Sequence, residues 1–289
     1  MTAPADRTWP PGYVSPKMVR AYWEREAAIH NDLVVGHDGN CGTRWQHGPF
    51  FFEKYTTNEE PVIDLHGPWR YVIWQPLTRV IPPAGWGVAR FNISQRRGGV
   101  FNLGVGNWEA RWSAAARRQL KHWCAGEAKG EWRHQTATLP EFHRAFSSAV
   151  MRADLKSGFQ RILDQKATDH GDRLKLSLAV LSDGTPLAGL AMLDVPEASQ
   201  SVHLAAFTTP AGRATPAGVG LMAACFEAAV AAGFAWLDLG NFWVPGEPAS
   251  WRGFSRFKSQ FVTDWLDFPP PFTRYVGNWS DTWHAWLKR

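Results

Sequence analysis

Three pieces of one stretch decide the reading of the fold: Ser201-Val-His-Leu-Ala-Ala-Phe207, Thr215-Pro216 with the apolar run through Ala232, and Gly233-Phe-Ala-Trp-Leu-Asp-Leu239. The outer two are short apolar runs with β-branched or aromatic members, and each reads as a buried strand. Between them, Thr215-Pro216 suits a helix start and Gly233 a helix end. Glu227 is the one charge in that helix, so it is expected to be buried. A strand, a buried helix and a second strand make a crossover unit with parallel strands. Upstream, Leu174–Leu181 and Leu187–Leu193 are strand patterns joined by Ser182-Asp-Gly-Thr185, a hairpin signal. Before them, Thr138-Leu-Pro-Glu141 forms a capping box ahead of a helix expected from Leu139 to about Val150, with another from about Leu155 to Thr168. The order is two helices, an antiparallel hairpin, a third strand, a helix and a strand.

The strand ending at Asp238 leads into the chemistry. Asp238-Leu-Gly-Asn241 is followed by a loop with Pro245, Gly246 and Pro248, then by Trp251-Arg-Gly-Phe-Ser-Arg-Phe-Lys-Ser-Gln-Phe261. A carboxylate and an amide at a strand end require polar partners. Arg252, Arg256 and Lys258 lie among Trp251, Phe254 and Phe257. Cations among aromatics at the open end of a sheet suit an anion or a carbonyl oxygen. The competing readings are a solvated basic turn with two core phenylalanines, and an Asp238–Lys258 ion pair that only closes the sheet end. Cys225, in the apolar helix, reads as core rather than nucleophile, and His203, inside a strand, as a hydrogen-bonded histidine rather than a base.

The first part of the chain is less regular. Ser15-Pro16 opens a helix expected to reach His30. His30, His37, Cys41 and His47 are zinc-ligand types, but their spacing matches no metal motif, and no metal site is assigned. Tyr71–Trp74, Val88–Ile93 and Val100–Leu103 read as strands, as does Glu131–Ala137. A helix from about Trp108 to Trp123, with Asn107 as cap, carries Arg117, Arg118 and Lys121 as a wet face or an anion-facing edge. At the other end, Pro269-Pro-Pro271 is expected to stop regular structure. Ser280 is expected to cap a last helix bearing Trp283, Trp286 and Leu287 beside Lys288-Arg289, which either packs back on the body or rests on a membrane surface. The pattern divides the chain at 1–137, 138–268 and 269–289.

Composition narrows the class without naming it. The 289 residues carry a formal charge of +5, which permits an anionic partner and demands none. Tryptophan is unusually frequent, at 17 residues scattered along the whole chain, so no single Trp motif explains it. Three cysteines without paired spacing suggest a reducing compartment, and no run reads as a leader or membrane span, so a cytoplasmic protein is expected.

The order of elements from Leu139 to Leu239 resembles the GNAT acyltransferase fold, in which two parallel strands splay apart and the acyl donor lies in the gap. In members that use acetyl-CoA, a Gly-rich turn cradles the pyrophosphate, with Arg or Gln three residues before its first Gly. Here that position is Thr215, and Arg213 is the nearest cation. A more specific resemblance is to the FemABX aminoacyltransferases, which build peptidoglycan cross-bridges, and their BioF2-like relatives. It rests on Asp238-Leu-Gly240-Asn241, on Gly253-Phe254-Ser-Arg-Phe257-Lys258-Ser-Gln-Phe261, on Arg117-Arg118-Gln-Leu-Lys121 and on Thr215-Pro216. It spans about Trp108 to Phe261 and departs at Asn241, where the family carries a second Gly.

The resemblance implies an α/β (α+β) chain in which a degenerate N-terminal GNAT-like unit precedes a complete C-terminal one. It implies transfer of an aminoacyl or acyl group from an aminoacyl-tRNA or acyl-CoA, with no bound cofactor, to an amine such as that of a peptidoglycan precursor, with no DNA partner. Lys258 is then the oxyanion donor or the grip on an anionic substrate group beside it, and Asp238 its orienting partner or the acceptor of the amine's proton. Arg252, Arg256, Asn241, Trp251, Phe257, Arg118 and Arg213 are the substrate-binding candidates, and backbone along Ser201–Phe207 is expected at the acyl carbonyl. Two other readings compete: an acetyl-CoA-dependent N-acetyltransferase, and a binding module that keeps the fold without the chemistry.

Overall fold

The computed structural model describes residues 9–19, 22, 32–35, 41–47, 50–89 and 96–287. In chain order the strands are β1 (Asp32–Val35), β2 (Cys41–His47), β3 (Phe50–Thr56), β4 (Arg70–Gln75), β5 (Gly87–Val88), β6 (Arg97–Asn102), β7 (Trp132–Thr136), β8 (Leu174–Leu181), β9 (Pro186–Val195), β10 (Gln200–Thr208), β11 (Trp236–Asn241), β12 (Asp264–Asp267) and β13 (Phe272–Val276). The α-helices are α1 (Ala114–Ala128), α2 (Leu139–Ser147), α3 (Ala153–His170), α4 (Ala217–Ala231), α5 (Trp251–Lys258) and α6 (Trp279–Leu287). Contacts divide the chain into two units, Met1–Gly98 with Leu266–Arg289, and Gly99–Trp265. The divisions expected after residues 137 and 268 follow the pattern of elements, whereas these boundaries follow the packing.

The first unit is built on a sheet of order β1-β2-β3-β4-β13-β5, in which β3 and β4 run parallel and the other neighbouring strands antiparallel. Side chains alternate faces along each strand. One face collects Tyr55, Val72, Trp74, Trp86, Phe272 and Val276 into a core. Beside it Glu53, 2% exposed, accepts from Arg44 Nε and Nη2 at 2.9 and 2.6 Å and from the Tyr55 hydroxyl at 3.2 Å, and Arg70 Nε lies 3.1 Å away. Burial, and then Glu53, push the Tyr55 hydroxyl well above its ordinary pKa.

Two expectations change here. Regular structure does not stop at Pro269–Pro271, because β13 follows at once and pairs with β4 and β5. Phe272 and Val276 point into the core while Thr273 and Tyr275 point out, a period-2 signal next to prolines that cannot themselves donate to a ladder. The last helix is capped by Asn278, whose Oδ1 accepts from Asp281 N at 2.8 Å, with Ser280 inside the helix. At the other end, Ser15 does cap, accepting from Lys17 N, but the turn is a short 3₁₀ segment over Pro16–Met18 and most of the expected helix lies outside the described residues. His30 and His37 also lie outside them. The same holds for most of the expected strand over 88–93, of which Gly87–Val88 is seen.

The second unit contains the crossover. Its sheet has the order β12-β6-β11-β10-β9-β8-β7. β7, β8, β9 and β10 are successively antiparallel, and β10 and β11 are parallel, as the strand–helix–strand reading requires. The capping box is present in full: Thr138 Oγ1 accepts from Glu141 N, and Glu141 accepts from Thr138 N at 2.8 Å. Alternation along the strands feeds two cores. Leu190, Met192, Leu237 and Leu239 join Trp123, Met222 and Phe226 of α1 and α4 on one face. Leu178, Val180, Ala191 and Phe207 join Phe142, Phe146 and Leu163 of α2 and α3 on the other.

Helix α4 is buried over its first turns but exposed at Glu227, Ala228 and Val230. Gly220 has a packing role, since a Cβ there would stand 2.2 Å from the Trp123 ring; its absence lets α1 and α4 approach. The helix expected from Trp108 is broken. Asn107 Oδ1 caps a 3₁₀ turn over Glu109–Arg111, Trp112 turns extended (ψ 158°), and α1 restarts with Ser113 as its cap.

Candidate active site

The parallel register of β10 and β11 runs over Gln200–Trp236, Ser201–Leu237 and Val202–Asp238 and ends there. On its other edge β10 has a bulge between His203 and Ala205. Bulges bend a strand and increase its twist, and this one lies just past the last pair that β10 shares with β11. Asp238 sits at that pair, 8% exposed. Its Oδ1 accepts the Gly240 N–H at 2.7 Å, closing an Asx turn in which Gly240 takes φ +69°, a conformation glycine adopts without strain.

Helix α5, a segment to which the sequence reading assigned no regular element, brings Lys258 back to this turn. Trp251, Phe254 and Phe257–Lys258 are spaced by about one helical turn, and the cations Arg256 and Lys258 fall in its last turn, where the helix dipole favours them. Lys258 is 5% exposed. Its Nζ donates to the carbonyls of Leu239 and Asn241 at 2.6 and 2.7 Å, and lies 4.7 Å from the Phe242 ring centre and 4.9 Å from that of Phe254. An ammonium has three N–H donors; two are fixed by the turn, which leaves one. A Cβ on Gly240 would stand 3.6 Å from the His203 carbonyl oxygen and 4.0 Å from Lys258 Nζ. The missing side chain therefore leaves room for a methyl-sized group between the ammonium and the His203 carbonyl. Burial lowers the Lys258 pKa to about 8, and the Asp238 carboxylate acts in the opposite sense. Roughly nine-tenths of Lys258 is still ammonium at pH 7.

The other sequence candidates divide into two groups. Asn241 contributes its carbonyl while its side chain is exposed. Phe257 lies over the first turn of α4, where a Cβ on Gly218 would be 3.2 Å from its ring, and Trp251 packs on Phe254 with centroids 5.8 Å apart. Arg252 is exposed and stacks on Trp243 at 4.4 Å, and Arg256 is exposed on the same helix. Arg118, on α1, and Arg213, in the turn Ala211–Ala214, are both exposed, and neither is part of the shell of Leu239, Asn241, Phe242 and Phe254 around Lys258.

Sequence reasoning did not count among the site residues the two rings that flank the ammonium, Phe242 and Phe254. Trp243 N donates to Ser255 Oγ at 2.7 Å, Trp243 Nε1 to the Glu247 carbonyl at 3.1 Å, and Val244 N to Glu247 Oε2 at 2.8 Å. The helical spacing of 251, 254 and 258 was the available signal. The two side chains set aside as catalysts are unsuited to that work. His203 is half-buried, and desolvation, then Lys258, drive its pKa down to about 3, so it is a very weak base. The Cys225 thiol is pushed up to about 12 by burial and by Asp194. Among the described residues no group of three His, Cys, Asp or Glu could hold a metal ion, and no helix is long and apolar enough to cross a membrane.

In the first turn of α4, the N–H groups of Ala217, Val219 and Gly220 are bonded within the turn. Thr215 Oγ1 donates to the Gly212 carbonyl at 2.9 Å and accepts from Ala217 N at 3.4 Å, and the Pro216 carbonyl accepts from both Val219 N and Gly220 N at 3.0 Å.

No known protein-family profile and no curated protein matches the sequence. The structure does match solved structures. It superposes on FemX with a TM-score of 0.64 over 94% of this chain and 94% of that one, at 11% identity. It superposes on a conserved protein of unknown function from Bacteroides thetaiotaomicron with a TM-score of 0.50 over 89% of each chain, at 8% identity. The chain thus has the GNAT-like fold of FemX, in agreement with the fold that its sequence resemblance implies.

Proposed function

We propose that the turn and helix around Lys258 form the active site of an acyltransferase that moves an aminoacyl group from an activated ester to an amine. One observation carries this reading: a buried ammonium, fixed by two backbone carbonyls with one donor left over, sits at the turn just past the point where the parallel register of β10 and β11 ends. In ester aminolysis the amine nitrogen bonds to the carbonyl carbon, the C–O bond to the leaving alkoxide breaks, and the proton lost by the amine ends on the departing oxygen. Charge builds on the carbonyl oxygen in between. A preorganised donor at that oxygen is the most effective single device for such a reaction, and in this reading the spare N–H of Lys258 is that donor. Asp238 is a positioning residue: it shapes the turn whose carbonyls hold Lys258, and its charge favours the ammonium.

The state of helix α4 favours an aminoacyl ester, such as an aminoacyl-tRNA, over acyl-CoA. A pyrophosphate at that helix start would need free N–H groups. Here Val219 and Gly220 already donate to Pro216, Ala217 donates to Thr215, and Phe257 covers Gly218. The acceptor proposed from the FemABX resemblance is an amine on a peptidoglycan precursor, with Arg252 and Arg256 available for its carboxylates or phosphates.

The test is a transfer assay with radiolabelled aminoacyl-tRNA and a UDP-linked muropeptide, run beside acetyl-CoA as donor. Amide formation is expected with the aminoacyl donor. Lys258→Ala, checked for native circular dichroism, is expected to lose about 10²–10³ in rate, as removal of an oxyanion donor does. Transfer undiminished in that variant would refute the role of Lys258, and transfer from acetyl-CoA alone would replace the donor assignment.

A further inference from the structure

The first unit carries a surface that the proposed chemistry does not use. On the outward face of its sheet, Phe52, Tyr71 and Tyr275 occupy one cross-strand row, with ring centroids 6.1 and 5.2 Å apart. Trp69 stacks between Tyr275, at 5.3 Å and 25°, and Trp279 of α6, at 4.8 Å and 15°, and Phe50 meets both tryptophans edge-on. Helix α6 is held down by Thr282, fully buried, whose Oγ1 accepts from Trp69 N. Trp279, Trp283 and Leu287 recur every fourth residue and so share one side of the helix, continuing the sheet's aromatic row. Phe50, Tyr275, Trp279, Trp283 and Leu287 are exposed by 37, 64, 49, 51 and 74%.

Large apolar side chains in one continuous patch are unusual on a protein surface and mark an interaction site. We infer that this face seats the first unit on the headgroup layer of an anionic phospholipid bilayer. Three observations favour that occupant. The patch is made of Trp, Tyr, Phe and Leu, the residue types that settle at a membrane–water boundary. The charge pattern of the sequence suits an anionic surface: Asp281, the one carboxylate of α6, lies off the apolar stripe, bonded to Asn278, and Lys288-Arg289 follow Leu287 in a chain of net charge +5. The area argues against a second copy. With roughly 150–250 Å² per large side chain, the exposed fractions sum to roughly 500 Å² per chain, short of the roughly 800 Å² per partner of a stable protein interface.

The test uses the whole chain and vesicles without any substrate, so its result is independent of the proposed reaction. The protein is sedimented with vesicles of phosphatidylglycerol and phosphatidylcholine and with vesicles of phosphatidylcholine alone, at low and high salt. Binding to the anionic vesicles is expected, with a blue shift of tryptophan emission and weakening by salt. Trp283→Ser with Leu287→Ser, chosen because these positions are further from the Trp69 stack than Trp279, is expected to weaken partitioning by roughly tenfold or more with unchanged circular dichroism. A second variant, Tyr275→Ser, tests the sheet half of the face and is expected to weaken it as well. No sedimentation with anionic vesicles, or binding that neither variant alters, overturns the assignment. So does a concentration-dependent dimer that the same substitutions dissociate, which would make a second copy the occupant.

Discussion

Replacing Lys258 by Met separates the electrostatics of the site from its packing, and needs no substrate. In the folded protein burial lowers the Lys258 pKa from 10.5 to about 8. Between those values the unfolded chain binds more protons at this position than the folded one, so stability rises with pH across the window. The penalty for burying the charge is present below pH 8 and is relieved as the ammonium titrates. From pH 7 to pH 10 this single group is worth about 2–3 kcal/mol of added stability. Met fills a similar volume without a titrating group, so the variant loses that rise. Its level at pH 7 also moves, because the Leu239 and Asn241 carbonyls lose their donor, at about 1–3 kcal/mol for a buried acceptor left unpaired, but this offset does not vary with pH.

The measurement is urea unfolding of both proteins at pH 7, 8, 9 and 10. The wild-type-minus-variant difference cancels two other groups that titrate here: Lys54, also lowered to about 8 by burial, and Tyr55, whose raised pKa reduces stability above pH 10. With a slope of about 2 kcal/mol per molar urea, the midpoint difference should change by about 1 M between pH 7 and pH 10. Parallel profiles would show that Lys258 is not a buried cation at neutral pH, and the oxyanion-donor argument would fall with it.

The remaining predictions concern the same turn and its support. Gly240→Ala should fold, because the new Cβ meets nothing closer than 3.6 Å, at a cost of about 1–2 kcal/mol for the left-handed conformation; its methyl fills the space beside Nζ, so transfer should fall tenfold or more, with only a modest drop in Tm. Asp238→Asn keeps an acceptor for Gly240 N but removes the charge that supports the ammonium, so the inflection near pH 8 in the stability profile should move to lower pH. Phe254→Ala admits water to the ammonium and should move the same inflection to higher pH, since burial is the larger cause of the shift. Gly220→Ala would drive a Cβ to 2.2 Å from the Trp123 ring and should cost about 1–3 kcal/mol by thermal unfolding without altering the pH inflection.

What was legible in the sequence was what repeats locally. The hairpin around Asp183-Gly184, the Thr138 capping box and the parallel pair β10–β11 each left a pattern within a few residues, because period and cap chemistry are short-range. β13 and α5 were obscured for one shared reason. Prolines beside Phe272 and glycines and prolines around Trp251 are strong local breakers, and they outweighed the period-2 and period-3.6 signals that packing then realised. The site was half legible. Asp238 and Lys258 stood out as charges in an apolar setting, but the partners of Lys258 are the carbonyls of Leu239 and Asn241, and a backbone oxygen leaves no mark on residue identity.

That distinction bears on the departure at Asn241. The FemABX resemblance has a second glycine in the turn, and its replacement, with the absence of an obvious general base, is what leaves room for a chain with the fold but without the chemistry. In the structure, left-handed backbone is required at Gly240, with φ +69°, whereas Asn241 is not among the residues with positive φ, is exposed, and supplies only its carbonyl to Lys258. A side chain at 241 therefore leaves the hold on the ammonium untouched, and the position where a side chain would both strain the backbone and fill the space beside Nζ is the one that carries the glycine.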